Sequence, residues 1–328
     1  MQGSRREAQS SQSNRSQATL SAPVTLVGIG VHSGDQVKMI LHPAEVNHGI
    51  AFLRTGLPDG MDRLIDARHL AVTATELCTV IGDRETGAVA TIEHLIAAFS
   101  GLNIDNVLVE IDGPEVPILD GSSAPFVDAI DQAGITVQGA PRRYLKVLKP
   151  VRVVQGKAFA ELLPNDRAFR LDVEIDFATP VIGRQRKAMD LSPSIFRREI
   201  SQARDFGFMR DVEKLWSAGF ALGASLENTV VIGDDGIMNP DGLRYADEFV
   251  RHKLLDAVGD LSLAGLPLLG TYRSYCGGHR MNFSVLEALF SNRSNYAVVD
   301  AVRHREMDQT ELNKANATVR PTQRIPSH

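Results

Sequence analysis

Residues 246–261 read Ala-Asp-Glu-Phe-Val-Arg-His-Lys-Leu-Leu-Asp-Ala-Val-Gly-Asp-Leu. Phe249, Val250, Leu254, Leu255, Val258 and Leu261 recur at helical spacing, so the stretch is a helix with little polar circumference. His252 and Asp256 are four residues apart and lie on one face, one turn from each other; Asp260 continues that face. Carboxylates on so apolar a helix are costly unless partnered. They are either a solvated stripe or ligands aimed at one metal. A second helix, Thr91 to about Leu102, carries Ile92, Leu95, Ile96 and Phe99 at the same spacing. His94 is followed seven residues later by Gly101, as His252 is by Gly259, at an offset of 158 residues in a chain of 328.

Around the two helices the elements repeat in order. Val24–Leu26 and Val37–Leu41 read as strands. After the first helix come the strand Val107–Ile111, a loop marked by Pro114, Pro117 and Asp120-Gly121, and a helix over Ala124–Gln132 that Gly134 ends. Composition changes around Gly139-Ala140-Pro141-Arg142-Arg143 and strands restart: Leu145–Val154, Ala158–Leu163 and Phe169–Phe177 read as a meander. Helices near Ile195–Gln202 and Val212–Ala218, the strand Thr229–Ile232, the long helix, the strand Leu268–Tyr275 and a helix near Val285–Phe290 complete the pattern. We expect an α+β fold of two similar domains, each with helices packed against β-sheets, over residues 19–139 and 140–302. Residues 1–18, rich in Ser, Gln and Arg, are expected to be a disordered tail, and 303–328 a loose one. The run Gly28-Ile29-Gly30-Val31-His32-Ser33-Gly34 is not a dinucleotide loop, because a strand rather than a helix follows it; it reads as a turn or bulge.

Composition narrows the chemistry. Hydrophobic residues are 43% and charged residues 23%, which excludes a mostly disordered chain. No apolar run reaches about 18 residues, so no membrane span is expected. Cys78 and Cys276 cannot make a disulfide framework or a thiolate zinc site, which suits a reduced, cytoplasmic setting. The amino end has no hydrophobic core of a secretory signal. Net charge is −5, and both ends are basic, so the body is more acidic still and nucleic acid is not an expected partner.

Any metal must therefore be held by His, Asp or Glu. Glu93 and His94 point about 100° apart on their helix, so they can border one pocket in different roles: a ligand beside a general base. The alternative is an exposed first turn in which the helix dipole favours Glu. His279 follows two glycines at the end of a strand, either as a proton donor near neutral pH or as a loop histidine. His32, His42, His48, His69, His304 and His328 read as structural or exposed. His94, His252 and Asp256 make the three-ligand set that catalytic zinc takes while keeping one position open. There is no His-Glu-x-x-His, so the chain is not thermolysin-like.

Longer stretches are more specific: Gly30-Val31-His32-Ser33-Gly34; Thr91-Ile92-Glu93-His94-Leu95; Gly101-Leu102-Asn103-Ile104-Asp105-Asn106; Pro114-Glu115-Val116-Pro117-Ile118-Leu119-Asp120-Gly121-Ser122; Phe206-Gly207-Phe208-Met209-Arg210-Asp211; Asp247-Glu248-Phe249-Val250-Arg251-His252-Lys253; and Gly278-His279. With these, from about Thr25 to about Phe290, the chain resembles the UDP-3-O-acyl-N-acetylglucosamine deacetylase family, zinc hydrolases of lipid A biosynthesis. The resemblance implies an active site between two α+β domains. It implies Zn2+ on His94, His252 and Asp256, with Glu93 as base and His279 as acid paired with Asp260. It places Lys253 at the oxyanion or the substrate phosphates, Phe206 and Asp211 on the sugar nucleotide, and Leu77 and Cys78 along the metal pocket. It also implies an acyl passage involving Val212, Leu215, Ala221, Ala224 and Val231. The implied substrate is a UDP-linked acylated amino sugar, handled by a cytoplasmic enzyme expected to be a monomer. The sequence departs from the family at Asp205, where the family has a threonine that helps the oxyanion. An ionised aspartate cannot donate there. It is protonated, or turned toward Arg204 or Lys253, or the mark of a slow paralogue. The competing functions are a zinc amidohydrolase for another acylated amino sugar and a non-catalytic sugar-nucleotide binder.

Overall fold

The computed structural model describes residues 15–301, so the tail expectations for 1–14 and 303–328 lie outside the described residues. The fold is α+β. Its principal helices are α1 (Glu93–Gly101), α2 (Ala124–Ala133), α3 (Val212–Ser217), α4 (Glu248–Ser262) and α5 (His279–Phe290).

Residues 24–111 build a five-stranded sheet in the order Val24–Ile29, Gln36–Pro43, Val107–Ile111, Ile50–Arg54, Arg63–Asp66. Neighbours run antiparallel except Ile50–Arg54 and Val107–Ile111. Val37, Met39 and Leu41 are buried while Gln36 and Lys38 face water, and this period of two fixes the register. A small antiparallel sheet, Val72–Ala74, Val80–Asp83 and Gly87–Val89, leads into α1.

The glycine run is a turn between two strands, as expected, and it wraps a carboxylate of the protein itself. The amides of His32 and Ser33 and the hydroxyl of Ser33 donate to Glu115, which also accepts from Thr91 Oγ1 at 2.7 Å. A Cβ on Gly30 would sit 2.2 Å from Glu115 Oε2, which explains the glycine. The same buried Glu115 helps hold Thr91 at φ 55, a conformation that costs a β-branched residue about 1–3 kcal/mol, immediately before α1.

Residues 143–300 supply a seven-stranded sheet, and here the expected meander is wrong. The strand expected over Leu145–Val154 is two, Arg143–Val147 and Val151–Gln155, separated at Pro150, which has no amide to give a ladder. Ala158–Leu163 does not pair with Phe169–Asp176. Leu268–Tyr275 lies between them, antiparallel to the first and parallel to the second, and its start also pairs with Arg143–Val147. The tail boundary is also corrected. Ser16–Leu20 is a strand paired with Ile135–Pro141, and Ala18 and Leu20 are buried. Its polar residues are buried but satisfied: Gln17 Nε2 donates to Asn47 and Pro141, and Thr19 Oγ1 to the Asn106 carbonyl. Low apolar content therefore did not mean disorder there.

α1 and α4 pack on each other and are buried over most of their lengths. Gly259 permits the contact, because a Cβ there would lie 2.1 Å from the Glu93 carbonyl oxygen, a backbone atom with no rotamer to change. Gly259→Ala is expected to destabilise the protein by about 3 kcal/mol in urea unfolding, the upper range for overpacking. Unchanged stability would mean that the helices separate freely.

Candidate metal centre

The α1–α4 contact buries charge. The first turn of α1 presents Glu93 and His94, the middle of α4 presents His252, Asp256 and Asp260, and all five are less than 5% exposed. His94, His252 and Asp256 offer ligand atoms that all lie within 4.8 Å of one another. Asp256 Oδ1 stands 3.6 Å from His94 Nε2 and 3.3 Å from His252 Nε2. His252 Nδ1 donates to the Ala203 carbonyl at 3.1 Å, which turns Nε2 inward. Asp256 Oδ2 accepts from Lys253 Nζ at 2.7 Å, but Oδ1 is buried with no hydrogen-bond partner. An orphaned carboxylate oxygen facing two imidazole nitrogens is expensive as it stands and is satisfied by a cation between them. Burial would raise the Asp256 carboxyl, yet His252, Lys253 and His279 hold it well below the usual range.

Two proton-handling groups flank this point. Burial pushes Glu93 up to about 7, against the pull of His279 and His94. Glu93 Oε2 accepts from the Thr79 amide at 3.1 Å. His279 Nδ1 donates to Asp260 Oδ2 at 2.9 Å, leaving Nε2 at 3.8 Å from Glu93 Oε1 and 4.0 Å from Asp256 Oδ2. Burial alone would lower the imidazole; Asp260, Asp256 and Glu93 carry it up to about 10. Asp260 is fixed by Thr79 Oγ1 at 2.6 Å and Asn282 Nδ2 at 2.8 Å, and Asn282 in turn accepts from the Tyr272 hydroxyl. His279 is not in a loop at a strand end. It opens α5, with Gly278 as an extended N-cap; the left-handed residue of the turn is Cys276, at φ 49.

The other expected residues divide. Phe206 lies at the centre, edge-on to Phe249 at 5.0 Å and to His252 at 6.1 Å, with Lys253 Nζ 5.3 Å from its ring centre. Cys78 is buried and its thiol is pushed up to about 12, so it is no nucleophile at neutral pH. Leu77, at φ 68, is half exposed beside it. Asp211 is exposed in the turn Met209–Asp211. Val212, Leu215, Ala221 and Val231 are half-buried and Ala224 is exposed. Asp205 does not turn toward Arg204, whose guanidinium is taken by Glu248 at 2.9 and 3.2 Å. It faces His252 Nε2 at 3.3 Å, and although burial acts to raise it, His252, Lys253 and His94 keep it ionised.

The family model of UDP-3-O-acyl N-acetylglycosamine deacetylases (LpxC) matches residues 17–291. The chain belongs to this deacetylase family. Relatives named UDP-3-O-acyl-N-acetylglucosamine deacetylase from Brucella ovis and Brucella canis are 52% identical over 289 residues, which is 88% of this chain and the whole of each relative. That of Brucella melitensis biotype 2 is 51% identical over the same lengths. Within this deacetylase frame, sequence reasoning missed three residues. Thr79 bonds both Glu93 and Asp260. Asn282 bonds Asp260 from one turn beyond His279, an i,i+3 spacing that was available to find it. His32, expected to be structural or exposed, has a buried Nδ1 with no hydrogen-bond partner; burial lowers its pKa, Glu115 and Asp205 act to raise it, and His279 acts to lower it. Its turn gave no local signal.

Proposed function

We propose that this chain hydrolyses the N-acetyl group of UDP-3-O-acyl-N-acetylglucosamine in lipid A biosynthesis, giving acetate and the free amino sugar nucleotide. The supporting observation is the orphaned Asp256 Oδ1 facing His94 Nε2 and His252 Nε2, with Glu93 and His279 on either side. Two imidazoles and one carboxylate suit zinc, which when bound here supplies a Lewis acid for the acetamide carbonyl and lowers the pKa of water. Glu93, raised by burial, takes a proton from the attacking water as the new C–O bond forms. His279, protonated at neutral pH, holds a proton at Nε2 for the departing nitrogen as the C–N bond breaks. Asp260 fixes the ring so that Nε2 faces the reacting centre. Since Nε2 is 3.8 Å from Glu93 Oε1, one substrate carbon placed beside both can meet acceptor and donor without any residue moving.

In this reading Lys253 acts through Asp256, holding the ligand's outer oxygen, and adds positive charge for the substrate. Phe206 packs on the sugar nucleotide, Asp211 bonds the hexosamine, Leu77 and Cys78 border the pocket, and Val212, Leu215, Ala221, Ala224 and Val231 border the acyl chain. The chain acts as a cytoplasmic monomer of two similar α+β domains meeting at the site; no helix among the described residues is long and apolar enough to cross a membrane. Acetate release is to be measured on the 3-O-acylated nucleotide and on the same nucleotide without its acyl chain, each with and without a chelator. Turnover should favour the acylated substrate and stop with the chelator. Equal rates on the two substrates would point to another acylated amino sugar.

A further inference from the structure

We propose that Asp205 is a fourth protein ligand of the metal, beside His94, His252 and Asp256. Asp205 Oδ1 stands 3.3 Å from His252 Nε2, the same distance as Asp256 Oδ1 from that nitrogen. Ligand atoms about 2.0–2.2 Å from a tetrahedral metal are roughly 3.4 Å apart. Two carboxylates thus flank one imidazole nitrogen at the spacing of neighbouring ligands.

The surroundings leave Asp205 little else to do. Its backbone is pinned, with its amide donating to the Gly121 carbonyl and its carbonyl accepting from Val230, both at 2.8 Å. Of the nearby cations, Arg204 is held by Glu248 and Lys253 by Asp256. Asp205 Oδ1 accepts the amide of the next residue, Phe206, at 2.8 Å and faces His252 Nε2 at 3.3 Å. The carboxylate is not among the three groups whose atoms all lie within 4.8 Å, so it reaches the metal by rotating about its own side-chain bonds and giving up the Phe206 amide. Two carboxylates would then balance a dication, and zinc, which tolerates five ligands, would keep a position for water. The consequence is a metal that leaves slowly.

This inference rests on the metal-centre reading and not on the substrate, and the test separates the two. Zinc-loaded wild type, Asp205→Asn and Asp205→Thr are mixed with excess chromogenic chelator, and zinc release is timed. Both variants should release zinc about 10- to 100-fold faster than wild type, the range found even for groups that only support a ligand. With cobalt in place of zinc, the visible absorption of both should change as a ligand is lost. Release within twofold of wild type together with superimposable cobalt spectra would overturn the role of Asp205 while leaving the triad intact. Failure of wild type to retain any metal would overturn the centre itself. A zinc-bound crystal structure of the wild type needs no variant to fold: a carboxylate oxygen of Asp205 at about 2.0–2.2 Å from zinc supports the inference, and one beyond about 3 Å refutes it.

Discussion

His94→Ala and Asp256→Asn should each lower bound metal from about one per chain to a small fraction, and reduce acetate release about 1,000-fold or more. Each removes one of three donors whose atoms converge from different helices. A Lewis acid contributes several kcal/mol to a charged transition state, and about 1.4 kcal/mol is a factor of ten. Asparagine is chosen at 256 because alanine would also release Lys253, which bonds Asp256 Oδ2 at 2.7 Å. Stranding one partner of a buried pair costs about 3–5 kcal/mol, enough to confuse lost metal with lost fold. Metal analysis of the purified variants decides the matter: full occupancy in both would show that these are not the ligands.

Glu93→Gln and His279→Gln should keep their metal and still lose about 100- to 10,000-fold in kcat, the usual contribution of a positioned acid or base. Their pH profiles separate the two roles. Glu93 works ionised, so the wild-type rate rises as pH climbs through its pKa; burial sets that near 7, and a neighbouring dication can only lower it. His279 works protonated, so the rate falls as pH passes its pKa of about 10, which a dication also lowers. The bell should therefore lie with its acid limb at or below about 7 and its alkaline limb at or below about 10. Glu93→Gln should flatten the first limb and His279→Gln the second. A variant that keeps the limb assigned to its own side chain would reverse the assignment.

The two ligand-bearing helices were legible because their evidence is local. Apolar residues at helical spacing leave no cheap place for His252, Asp256 and Asp260 unless those residues meet partners. The glycine turn was legible for a similar reason, since the element after it is a strand. The seven-stranded sheet was not, because Leu268–Tyr275 inserts between strands roughly 100 residues earlier in the chain, and pairing at that range leaves no trace in either segment. One direction open to Asp205, toward Arg204, was closed by a like cause: Arg204 is its neighbour in sequence but belongs to Glu248, 44 residues away. Thr79 was silent, as a threonine whose two bonds reach 14 and 181 residues along the chain looks like any other.

That inserted strand also sets a timetable. While the chain is being synthesised, the strands between residues 143 and 190 emerge with open edges, and the partner that joins three of them begins only at Leu268. All three candidate ligands are in the chain by Asp256, before that strand begins, so the nascent protein can hold the whole ligand set while its larger sheet still lacks a central strand; His279 follows only after it. A product cut short before Leu268 is therefore left with unpaired edges that other chains can add to. The ligand set is therefore complete before the edges are covered, and protection from aggregation comes only once Leu268–Tyr275 has been made.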